Sequence, residues 1–91
     1  MHPNSPDAFA GIARVLLKQK KVDQASTTIT DALTLSDSYH LHVALGEILF
    51  RQGRIDAAER EWINVINFGH PDARSYLGLS RVRNALAMYR K

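Results

Sequence analysis

The chain has 91 residues, 45% of them hydrophobic and 23% charged, with a formal net charge of +3 and no cysteine. That length holds one domain, and the apolar content argues against disorder; the missing cysteine excludes disulfides and thiolate metal sites. No apolar run reaches the length of a membrane span, MHPNSPDAF has no signal-peptide core, and the mild excess of base lacks the clustering of a nucleic-acid arm.

Residues 1–5 read as a disordered lead-in, although Ser5-Pro6-Asp7 also carries a capping hydroxyl, a first-turn proline and an acid near the positive helix end. A first helix is predicted from Pro6 to Gln19, with Phe9, Ile12, Ala13 and Leu16 as its inner stripe. Lys18, Lys20 and Lys21 suit the negative end of its dipole. A second helix, Val22 to Leu35, buries Val22, Ala25, Ile29, Ala32 and Leu33. Its other face, with Ser26, Thr27, Thr30 and Thr34, has poor helix propensity and makes the helix depend on packing. Ser36-Asp37-Ser38 is turn and cap chemistry. A third helix follows from Tyr39 to Arg51, with Leu45, Ile48 and Leu49 on one face beside Gly46. A fourth runs from Ile55 to Asn67 on Ile55, Ala58, Trp62, Val65 and Ile66, and Gly69 ends it in the left-handed conformation. His70-Pro71-Asp72 restarts the chain, and one long helix runs from Pro71 to Arg90 with Val82, Ala85, Leu86 and Tyr89 on its stripe.

The first two helices and the next two are copies of one pattern. GIARVLLKQKKVDQA, from Gly11, aligns with ALGEILFRQGRIDAA, from Ala44, at an offset of 33 residues (44 − 11). Leu16 meets Leu49, Gln19 meets Gln52, Asp23 meets Asp56 and Ala25 meets Ala58. A repeat of this period marks a solenoid of stacked helix pairs.

These residues resemble the tetratricopeptide repeat (TPR) family, whose pattern is W-x2-L-G-x2-Y, then A-x3-F-x2-A, then often proline. The second repeat reads His42, Leu45, Gly46, Leu49, Ala58, Trp62 and Val65, with Pro71 after it. The first reads Phe9, Ile12, Ala13, Leu16, Ala25, Ile29 and Ala32. The resemblance implies an all-α, right-handed antiparallel helix-pair solenoid of five helices. It divides residues 6–91 into a repeat over 6–38, a repeat over 39–70 and a capping helix over 71–90, all one domain. It also implies a protein-interaction module that binds a peptide or partner protein on its concave face.

The family's clamp for the C-terminal carboxylate of heat-shock chaperones does not carry over. Ala10 and Val43 stand where its lysine and asparagine belong.

No phosphate loop, His-Glu-x-x-His or nucleophile elbow occurs, so the chain is read as a non-enzyme that needs no cofactor. His40 and His42, two apart on a helix, point different ways, which sets His42 half-buried at the repeat contact rather than in a metal site. Trp62 reads as a core anchor between helices. In the expected binding surface, Leu17, Phe50 and Val82 form an apolar stripe just past the buried face of the first, third and fifth helices. Lys18, Arg51 and Arg83 follow them as a basic edge, and Arg14, Glu47 and Leu79 lie one turn earlier. The matching partner is a protein or peptide carrying apolar anchors and acids. Weak homo-oligomerisation is a further expectation, since about two repeats leave the first helix uncovered on one side. The alternatives are a nucleic-acid-binding helical domain using the basic last helix, or a structural spacer in a longer repeat protein. Nucleic acid is disfavoured, membrane insertion is not expected, and the cysteine-free composition fits the cytoplasm.

Overall fold

The computed structural model describes residues 5–69 and 73–89. They form α1 (Pro6–Lys18), α2 (Val22–Leu35), α3 (Tyr39–Arg51), α4 (Ile55–Asn67) and α5 (Ala73–Tyr89), with no strand among the described residues. The restart at His70-Pro71-Asp72 lies outside them. Ser5 belongs to the folded part, because its side chain accepts a hydrogen bond from the Ala8 amide at 3.2 Å and caps α1. Ser38 caps α3 in the same way, accepting from His40 N–H at 3.3 Å.

Both repeats close their first helix with one turn. Lys20 has φ 64° and Gly53 has φ 82°, 33 residues apart (53 − 20). In each, the amide beyond the left-handed residue reaches back across the last turn: Lys21 N–H to the Leu16 carbonyl at 2.8 Å, Arg54 N–H to the Leu49 carbonyl at 2.9 Å. This is the double-bonded helix end that suits glycine, and Lys20 carries a Cβ in a conformation that glycine adopts without penalty. Gly69, φ 85°, follows α4 as its composition predicts.

The helices stack as antiparallel pairs, α1 with α2 and α3 with α4, and α5 covers the second pair. The architecture is an all-α helical-repeat solenoid. α3 packs against all four other helices, and its buried residues accordingly spread around it: Leu41, Val43, Ala44, Gly46 and Ile48. In α2 the threonine hydroxyls bond back onto the preceding turn, which does not make up for the weak propensity. Thr27 donates to the Asp23 carbonyl at 3.1 Å, Thr28 to Gln24 at 2.9 Å and Thr34 to Asp31 at 2.6 Å. Packing of Ala25, Ile29 and Ala32 against α1 and α3 holds the helix.

Two core clusters result. One joins α1, α2 and α3 through Ala10, Ala13, Leu17, Ala25, Ile29, Leu41 and Ile48. The other joins α4 and α5 through Ala58, Trp62 and Val82, flanked by Leu49, Phe50, Ile55, Leu79 and Leu86.

Two expectations are corrected here. The buried stripe of α1 is Ala10, Ala13 and Leu17, while Ile12 is 48% exposed. α1 is wedged between α2 and α3, and the small Ala10 and Ala13 allow that close approach. Leu17, at 2% exposure, and Val82, at 0%, are therefore core residues and not an exposed binding stripe. α5 is turned in the same manner, with Ser75, Gly78 and Val82 inward and Tyr76 and Leu77 outward. Ser75 is fully buried, and its hydroxyl has no hydrogen-bond partner among the described residues.

Candidate functional site

The turning of α1 and α5 exposes a second stripe on each. On α1 it is Arg14, Val15 and Lys18; on α5 it is Arg74, Leu77 and Arg81, at i, i+3 and i+7. α1 and α5 do not pack on each other, and α3 lies between them with Val43 and Glu47. The three helices enclose a groove of about 440 Å³. Gly78 and the edge of Trp62 line its base. Val15 is 53% exposed and Leu77 54%, so each wall carries an apolar side chain open to solvent. Among the described lining residues, four bases, Arg14, Lys18, Arg74 and Arg81, face one acid, Glu47. The groove is therefore a positive concavity with apolar walls, which focuses field on an anionic ligand.

Glu47 stands between Arg81 of the groove and Arg51 outside it. Its Oε1 is 3.9 Å from Arg51 Nη2, one turn along α3, and 3.9 Å from Arg81 Nη1 on α5. The carboxylate is 24% exposed and the two guanidinium side chains 43% and 48%. These are open ion pairs, each contributing little to stability.

Three of the expected binding residues thus meet in the groove: Arg14, Lys18 and Glu47. Arg51 touches it only through Glu47, and Arg83 is exposed but is not among the lining residues. Phe50 is half-buried against Trp62, ring centroids 6.1 Å apart, and Leu79 packs on the α4–α5 core. Val15, Arg74, Leu77 and Arg81 also line the groove and lie outside the expected binding set. Their signal is present in the sequence as Arg-x2-Leu-x3-Arg at helical spacing, but it becomes readable only when the buried side of α5 is known.

A second hollow, about 540 Å³, opens between the start of α3 and the end of α4, beside Tyr39, His42, Glu61, Val65 and the exposed Phe68. Its two acids are already engaged. His42 Nε2 lies 2.6 Å from Asp37 Oδ1 and Nδ1 lies 2.9 Å from Glu61 Oε2, and the ring is half-buried at the repeat contact as expected. Burial by itself disfavours the imidazolium. The hydrogen bonds to Asp37 and Glu61, with the charges of both, outweigh it and raise the His42 pKa above its ordinary 6.5. When protonated, His42 donates to both acids and ties the loop before α3 to α4.

The sign of the pH effect follows. A raised folded-state pKa stabilises the protein fully below pH 6.5, and the contribution is lost as pH climbs through the raised value. Stability from urea melts is expected to be flat with respect to this group below pH 6.5 and to fall as pH rises through the raised value, by about 0.5–1 kcal/mol for a part-exposed pair. His42→Gln should remove that fall. An unchanged slope in the variant would rule His42 out as its source.

A family model described as Tetratricopeptide repeat matches residues 10–73. The match spans α1 to α4 and stops where α5 begins. No curated protein and no solved structure matches the chain.

Proposed function

The chain belongs to the tetratricopeptide repeat family, and on that premise we propose that it is a protein-interaction module whose α1–α3–α5 groove takes an acidic, apolar-anchored segment of a partner protein. Repeats of this family generally serve protein interaction. The observation that carries the reading is the lining itself: Arg14, Lys18, Arg74 and Arg81 around half-exposed Val15 and Leu77. Apolar side chains of the partner fill the space between the walls and supply most of the affinity, while the bases orient its acids and raise the association rate. This places the site beside the stripe of Leu17, Phe50 and Val82, with Val15 and Leu77 in the apolar role. The module carries no chemistry of its own in this reading.

The test uses a fluorescein-labelled peptide, Glu-Leu-Glu-Glu-Leu-Glu, and its Gln-for-Glu counterpart, by fluorescence anisotropy. The acidic peptide should bind, with affinity that falls as salt rises. Arg14→Glu combined with Arg81→Glu should weaken it by about a hundredfold, the loss of two charge-assisted contacts at about 1.4 kcal/mol per tenfold. Equal binding of both peptides, or no loss in the double variant, would remove the groove from consideration. Binding of duplex DNA with a steep salt slope, lost on reversing Arg83 and not Arg14, would favour the nucleic-acid reading instead.

A further inference from the structure

Among the described residues that line the groove, Glu47 is the one that opposes the charge of the lining. We infer that Glu47 is the groove's internal competitor: its carboxylate holds the place on Arg81 that a ligand's carboxylate takes, and Arg51 is the station to which it retreats. This deepens the acidic-segment reading and rests on it.

The geometry has three parts. Arg81 belongs to the groove wall and Arg51 does not, yet Glu47 Oε1 stands at the same 3.9 Å from both guanidinium groups. The distance is short enough for attraction and too long for a hydrogen bond, so neither partner holds the carboxylate tightly. Arg51 is on the same helix at i+4, so a pair with it can tighten without moving a helix. An incoming carboxylate at Arg81 meets Glu47 at contact distance, and like charges there repel. Glu47 answers by closing on Arg51, which frees Arg81 for the ligand.

Two consequences distinguish this from a plain tether between α3 and α5. Neutralising Glu47 should raise affinity for an acidic ligand, whereas a tether's removal would loosen the wall and lower it. Removing Arg51, outside the groove, should lower affinity by stranding Glu47 on Arg81. The groove so built selects segments with several acids over those with one, because the first carboxylate must displace an internal rival.

The experiment measures the same Glu-Leu-Glu-Glu-Leu-Glu peptide by anisotropy against the parent chain, Glu47→Gln, Arg51→Gln and the double variant. Each chain is first checked for parent-like far-UV circular dichroism and melting temperature. Glu47→Gln should bind about fivefold tighter, the factor a unit charge at roughly 4 Å contributes in water. Arg51→Gln should bind more weakly than the parent, and the Arg51 effect should shrink in the Glu47→Gln background, because its route through Glu47 is gone. Parent binding with Glu47→Gln equal or weaker would overturn the competitor role and leave the groove reading standing. The same Arg51→Gln effect in both backgrounds would show general electrostatics and overturn the role as well. Binding in no variant would overturn both readings. If Glu47→Gln melts below the parent, Glu47→Met supplies the same loss of charge with a similar length of side chain, and the same tightening is required of it.

Discussion

Replacing Trp62 with alanine should cost about 3–5 kcal/mol of stability, a large part of what a domain of this size possesses. The indole is 2% exposed. It is placed where α3, α4 and α5 meet, with Phe50 at 6.1 Å between ring centroids on one side. Its Nε1–H donates to the Val43 carbonyl on α3 at 3.2 Å. The truncation therefore opens a cavity shared by three helices and leaves a buried carbonyl without that donor. α5 depends most on the ring, because the α4–α5 core consists of Ala58, Trp62 and Val82. Hydrogen exchange should show α5 amides losing protection first, ahead of global unfolding. Trp62→Phe should fall between, keeping part of the ring volume and losing the hydrogen bond. An unfolding free energy from urea melts for Trp62→Ala within about 1 kcal/mol of the parent would contradict this account of the core.

Alanine at Gly46 or Gly78 should also destabilise, against the usual direction. In a mid-helix position Gly→Ala ordinarily gains about 1 kcal/mol of propensity. Here a Cβ on Gly46 would lie 2.5 Å from Trp62 Nε1, and one on Gly78 would lie 2.6 Å from Trp62 Cε2. The ring is held between the two glycines, so receding from one drives it into the other. Overpacking of a core costs about 1–3 kcal/mol, enough to exceed the propensity gain. The decisive arm is the background. In a Trp62→Ala chain the clash is absent, and Gly78→Ala should then turn stabilising. Urea melts of the four chains give the cycle directly; the same sign of the Gly78→Ala effect in both backgrounds would show that the ring is not what the glycine accommodates.

The helices themselves were legible in the sequence. The expected bounds of Val22–Leu35, Tyr39–Arg51 and Ile55–Asn67 are those observed. Boundaries are local properties: hydroxyls of Ser5 and Ser38 cap free amides, and Gly53 and Gly69 take left-handed angles beside the last turns. The repeat was legible for the same reason, since equal local patterns 33 residues apart fold to equal turns, even where Lys20 replaces glycine.

The rotation of α1 and α5 about their own axes was decided by tertiary structure. α1 is amphipathic, and its periodicity by itself favours the side of Phe9, Ile12, Ala13 and Leu16. Close packing against two helices at once selected the side with Ala10 and Ala13, drawing Leu17 in and leaving Val15 out. On α5 the selection was made by one side chain of another helix. Trp62 requires a residue without a Cβ opposite its ring, and Gly78 meets that requirement. Turning Gly78 inward carries Val82 into the core and swings Arg74, Leu77 and Arg81 to the groove, because the helical period ties all four to one rotation.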